Sequence, residues 1–246
     1  MNTRKLRKVL LTLCSALLLV SLSVGMTVAY LTSTTEVVEN TFTVGQVKIT
    51  LDEAKVNADG KPVKVTTTGE GEDAVTTETE VDNLSEATRV QANSYKLMPG
   101  HTYTKDPTIH IDPTSEEAYL RVKVEVTNTA KVDALFQKHN KAEEGIIAIL
   151  TGLDLSKWDV ASNTVSGDVR TYVLNYKEKV SGTNPANNDV VLFTAVDIPD
   201  DFDNEDIIEL NNTKLTIVAE AIQSAGFETA ADPVAAAWTA FEAQGN

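Results

Sequence analysis

The chain has 246 residues, 21 basic and 36 acidic, for a formal charge of −15, with one cysteine and three histidines. The length fits one large domain or two small ones, and the charge disfavours a nucleic-acid binder, which needs clustered Lys and Arg. A lone cysteine excludes a disulfide framework and a cysteine-based zinc site, and three histidines leave little for metal catalysis.

The charge is unevenly placed. Arg4, Lys5, Arg7 and Lys8 precede any acidic residue, the apolar run Val9 to Val20 follows, and Ser21, Ser23 and Gly25 are small. A basic start, an apolar middle and a small-residue end read as a helical signal peptide over residues 1–29. Thr27 and Ala29 hold the small −3 and −1 positions for cleavage before Tyr30. The 23 uncharged residues from Val9 to Leu31 are also long enough for an uncleaved anchor. Cleavage is the preferred reading, with membrane contact only before it. It removes Cys14 and leaves 17 basic against 36 acidic residues, a charge of −19. No cofactor, catalytic residue or metal ligand is assigned, and a secreted protein is expected.

Residues 30–41 read as a flexible, Thr-rich tail carrying Leu31, Val37 and Val38, with no obvious partner within the chain. Phe42 and Val44 share one strand face. The phase slips at Gly45, and Val47, Ile49 and Leu51 continue it, so a β-bulge is expected there. Residues 52–94 form a Thr/Glu-rich insertion, with weak alternation through Val75, Thr77, Thr79 and Val81 that fits an edge hairpin. Pro99-Gly100 predicts a turn. Ile109 and Ile111 mark a strand over 108–112.

The clearest strand is 119–126. Leu120, Val122, Val124 and Val126 predict a buried face, and Tyr119, Arg121, Lys123 and Glu125 a wet one. A helix is expected over 130–144 with Leu135 and Phe136 inward, while 146–150 fits helix or strand. Tyr172, Leu174 and Tyr176, then 190–196, predict a hairpin around a long loop at 181–188. Residues 197–209 read as an acidic loop. Leu215, Ile217, Ala219 and Ala221 line one face of a strand over 214–222. Asp232-Pro233 starts a C-terminal helix with Val234, Trp238 and Phe241 on one side. Together these predict an all-β, jelly-roll-like β-sandwich with a short C-terminal helix, in one domain over 30–246.

Two passages carry a resemblance. Ala29-Tyr30 followed by Asn40-Thr41-Phe42-x-x-Gly45 and a strand resembles the start of mature TasA/camelysin proteins. Leu97-x-Pro99-Gly100-x-x-x-x-Lys105 is similar to a second segment of that family. The ending from Ala219 to Trp238 resembles clostridial members. The match covers roughly 29–51, 95–127 and 215–241, and leaves the middle of the chain unmatched. The resemblance implies a jelly-roll protein of the Gram-positive cell surface or biofilm matrix, released by a SipW-type signal peptidase. Some members polymerise by donor-strand complementation, which implies self-association or related matrix subunits as partners. The polar tail with Leu31, Val37 and Val38 is the candidate donor strand, since strand addition satisfies the backbone of an exposed edge.

The alternatives are a monomeric secreted adhesin or binding module, and a camelysin-like metallopeptidase. A zincin needs His-Glu-x-x-His, and His101, His110 and His139 do not supply it. His110 and Asp112 share a strand face and suit at most a weak metal contact. The acidic run 197–209 lacks the spacing of a calcium loop. An enzyme is therefore not expected.

Overall fold

The computed structural model describes residues 46–141 and 145–244. The signal segment with Thr27 and Ala29, Tyr30, the tail with Leu31, Val37 and Val38, and the motif residues Asn40, Thr41, Phe42 and Gly45 lie outside them, as does the expected bulge. Among the described residues no helix is long and apolar enough to cross a membrane.

The fold is mostly β-strand, in several antiparallel sheets, with a short C-terminal helix. The first strands are β1 (Ile49–Ala54), β2 (Val63–Thr68), β3 (Val75–Glu80), β4 (Arg89–Val90), β5 (Thr102–Thr104), β6 (Thr108–Ile111) and β7 (Ala118–Val126). Helix α1 (Thr129–Lys138) precedes β8 (Leu150–Thr151), β9 (Trp158–Ser166), β10 (Val169–Tyr176), β11 (Asp189–Val191) and β12 (Ala195–Asp197). Helix α2 (Asn204–Glu209), β13 (Leu215–Gln223) and α3 (Pro233–Gln244) complete the chain. One sheet has the order β11-β6-β1-β4 and another β13-β7-β10-β9. A three-stranded sheet runs β5-β12-β8, and β2 and β3 form a separate hairpin.

The main core lies under the even positions of β7. Leu120, Val122, Val124 and Val126 are buried with Ile109, Leu174, Phe136 and Trp158, as the period of two predicts. The expected wet face is only half wet. Tyr119 and Arg121 are buried as well, because α3 covers that end of the sheet. Trp238 and Ala237 of α3 pack on Tyr119 and Ile222. Asp232 starts this helix as expected, accepting a hydrogen bond from the Ala235 amide at 3.0 Å.

Residues 172–176 and 190–196 do not form a hairpin. Strand β10 pairs with β7 and β9, β11 with β6, and β12 with β5 and β8. The apolar run 190–196 is continuous because Leu192 and Phe193, both buried, carry the chain from one sheet to another. The true hairpin partner of β10 is β9, joined by the two-residue turn Gly167-Asp168. Strand β9 is a polar edge strand whose Val160 and Val165 face solvent, so it has no apolar alternation to read.

Helix α1 buries Leu135 and Phe136 as expected. Residues 146–150 are both of the offered forms: a 3-10 turn over Gly145–Ile149 leads into β8. The acidic stretch 197–209 is not all loop. Asp203 caps α2 by accepting from the Glu205 and Asp206 amides, and the Asp206 side chain returns the bond to the Asp203 amide at 3.0 Å. Residues 52–94 begin in β1 and end beyond β4, so both ends of this segment belong to a sheet, with the solvated β2–β3 hairpin between them.

Candidate functional site

Strand β1 carries the alternation Val47, Ile49, Leu51 into Glu53. The next inward position is thus an acid, and Glu53 is buried. A buried charge demands a partner, and Lys105 supplies it by pairing with Glu53 Oε2. Lys105 follows β5 in the same phase as buried Tyr103. Its Nζ also lies 5.8 Å from the centroid of the Tyr95 ring. Asn93 donates to the other Glu53 oxygen at 2.9 Å and to the Ala54 carbonyl at 2.8 Å, and accepts from the Val56 amide at 3.0 Å. Burial, with the Glu53 carboxylate nearby, holds the Tyr95 phenol well above its ordinary range.

A second set of charges adjoins the first. Arg89 on β4 donates to Asp106 Oδ2 at 2.5 Å and to Asp52 Oδ1 at 2.7 Å. The other Asp106 oxygen accepts from the Ala54 amide at 2.7 Å. His110 Nε2 lies 3.0 Å from Asp52 Oδ1, and its Nδ1 lies 2.6 Å from Asp189 Oδ1 on β11. Burial disfavours the His110 charge, but the hydrogen bonds to Asp52 and Asp189 outweigh it and raise its pKa above 6.5. Burial likewise opposes the Asp52 charge, and His110 and Arg89 override it, lowering the carboxyl below 3.8. His110 therefore does not act with Asp112. That carboxylate accepts from the Thr114 amide and hydroxyl instead.

Beside these groups, between β1 and β13, lies a cleft of about 350 Å³, small among ligand pockets of roughly 300–1,000 Å³. Asp52, Glu53, Asn93 and Lys105 give it a polar floor, while Leu51, Pro107, Leu215 and Ile217 are apolar. Leu215, Ile217, Ala219 and Ala221 pack on the core but remain only partly buried. Strand β4 pairs only with Glu53 and Ala54. Among the described residues, Ile49–Asp52 thus have a sheet partner on one side, β6, and β13 has only β7. The cleft is bounded by two strands with unmatched backbone and a half-covered apolar face. That arrangement suits an extended segment. Its carboxylates are held by cations or amides.

Of the motif residues, Lys105 is in the cleft and Leu97 packs on the core. Pro99-Gly100 forms the expected turn, with Gly100 at φ +67° and its amide bonded to the Pro199 carbonyl at 3.2 Å. His101 Nδ1 lies 2.9 Å from the Pro99 carbonyl. The remaining histidine, His139, sits between Asp206 at 2.8 Å and Asp201 at 3.2 Å. Lys138 reaches the same Asp206 at 2.6 Å and Lys141 reaches Asp201 at 3.4 Å. These acids are thus engaged with the end of α1. Among the described residues no group of three or more His, Cys, Asp or Glu side chains is placed to hold a metal ion. Glu53, Arg89, Asn93 and Asp106 were not singled out by sequence reasoning. An acid in the apolar phase of a strand, as Glu53 is, is the signal that finds the first of them.

The chain is thus an antiparallel β protein with a charge-floored cleft between two sheets. No known protein family model matches it, and neither a curated protein nor a solved structure does.

Proposed function

We propose that this chain is a secreted structural subunit of a cell surface or biofilm matrix, a jelly-roll protein of the TasA/camelysin type. On this reading a SipW-type signal peptidase cuts before Tyr30, and residues 30–41 become a free strand. That strand, through Leu31, Val37 and Val38, enters the β1–β13 cleft of a neighbouring copy. The observation that carries the reading is the cleft itself: two strands that, among the described residues, are unpaired on one side, and the partly covered face of Leu215 and Ile217. An added strand supplies backbone hydrogen bonds and buries that face. The reading assigns no catalytic activity.

Electron microscopy and size-exclusion chromatography of the protein beginning at Tyr30 test it. Fibres or oligomers are expected, and their loss is expected when residues 30–41 are removed. An Ile217→Lys variant, charged in the acceptor face, should also fail to assemble while keeping its fold by circular dichroism. A protein that stays monomeric at high concentration, with or without the tail, sinks the assembly reading and leaves a monomeric adhesin.

A further inference from the structure

Lys105, Glu53 and Asn93 place an amine, a proton carrier and a carboxamide on one another. The Lys105 amine and the Asn93 amide nitrogen rest on the two oxygens of a single carboxylate. Lys105 and Glu53 are buried, and the Tyr95 ring lies beside the amine. The Asn93 carbonyl oxygen already accepts the Val56 amide at 3.0 Å. An ion pair alone needs neither the carboxamide on the far oxygen nor an amide aimed at its carbonyl.

We propose that Lys105 and Asn93 join in an intramolecular isopeptide bond, with Glu53 carrying the protons. The Lys105 ammonium first gives a proton to Glu53 along the hydrogen bond that joins them. The freed Nζ lone pair adds to Asn93 Cγ. Charge develops on Oδ1, where the Val56 N–H is already in place as an oxyanion donor. Glu53 then protonates Nδ2 and takes the second proton from Nζ. The Cγ–Nδ2 bond breaks and ammonia leaves, carrying the last proton from Glu53 as ammonium. One Nζ–Cγ amide forms, one Cγ–Nδ2 bond is lost, and nothing is oxidised or reduced. Proximity of the three groups supplies the rate, as in other intramolecular acyl transfers. The sole cysteine of the chain is Cys14, so no disulfide can close a loop in residues 46–244. This bond closes the segment that carries the Pro99-Gly100 turn.

Intact-mass measurement and peptide mapping of the purified full chain decide the matter, independently of whether it assembles. A mass short by one ammonia is expected, with a branched peptide joining the segments of Asn93 and Lys105. Unmodified Asn93 and Lys105 in linear peptides overturn the proposal. So does an ammonia loss that fragmentation places as a succinimide at Asn93-Ser94. Asn93→Ala, Lys105→Met and Glu53→Ala should each restore the full mass, and a deficit that survives Lys105→Met also overturns the bond. Where a variant fails to fold, the wild-type map alone gives the answer.

Discussion

The Arg121 guanidinium lies 4.3 Å from the centroid of the Trp238 ring and donates to Glu220 at 2.5 Å. It also reaches Glu242 of α3 at 3.0 Å. A residue that strand alternation assigns to solvent thus becomes the floor on which the last helix rests. Its charge is tolerated there because an acid and an aromatic face meet it. Removing the indole empties this contact. Trp238→Ala should cost about 3–5 kcal/mol, read as a lower denaturant midpoint. An unchanged midpoint would show that α3 contributes no stability.

Arg89 holds Asp106, a buried acid, and Asp52 together. Truncating it leaves Asp106 without its cation, so Arg89→Ala should cost about 3–5 kcal/mol in urea unfolding. Arg89→Lys should recover only part of this. One ammonium does not reproduce the planar fork that spans both carboxylates.

His110 predicts a pH dependence. Its folded pKa is raised above 6.5, so the folded protein binds the proton more tightly than the unfolded chain does. Its contribution is fully present below about pH 6.5 and is lost as pH rises through the folded value. Asp52 works oppositely, with a contribution that fades only as pH falls below 3.8. An NMR titration should place the His110 imidazole above 6.5. In His110→Gln, the extra stability at pH 6 relative to pH 8 should shrink. A midpoint at or below 6.5 contradicts this.

Asp206 titrates at the acid end. Burial opposes its charge, but Lys138, the Asp203 amide and His139 outweigh that and lower its pKa from 3.8 to about 2. Its contribution is present above 3.8 and is lost as pH falls toward 2. Asp206→Asn should therefore be less stable than wild type at pH 6, with the gap closing near pH 2. A gap that stays constant across that range would assign the loss to packing.

Much of the β-structure was legible because one-sided burial writes a period of two into the residues. The interior of β7 and the inward side of α1 follow it directly. What failed was decided by distant chain. No local pattern announces that Trp238 will cover Tyr119 and Arg121. Strand β9 escaped because, beyond buried Trp158, its positions are exposed or nearly so and carry no apolar alternation. Its one signal is Gly167-Asp168, a two-residue hairpin turn. Of the cleft, the Leu97 to Lys105 segment flagged Lys105 alone. Its partner Glu53, and Asn93 on the far side of that carboxylate, come from distant positions that only the fold brings together.

The acidity bears on assembly. On the proposed reading, cleavage before Tyr30 leaves a charge of −19, and subunits so charged would repel one another at low ionic strength. Light scattering of the protein beginning at Tyr30 should show faster growth with added salt or at mildly acid pH. Faster growth at low salt and neutral pH would contradict the assembly reading.

Strand β1 meets β6 along Ile49–Asp52, antiparallel and with hydrogen bonds running across the strands. The proposed donor tail, residues 30–41, precedes β1 in the chain, with residues 42–48 between them. In a fibre under tension, a pull on that tail acts along β1 and strains all of its bonds to β6 at once, rather than opening them one by one from an end. On the proposed reading, the strand that borders the cleft is also the one through which mechanical load would enter the subunit.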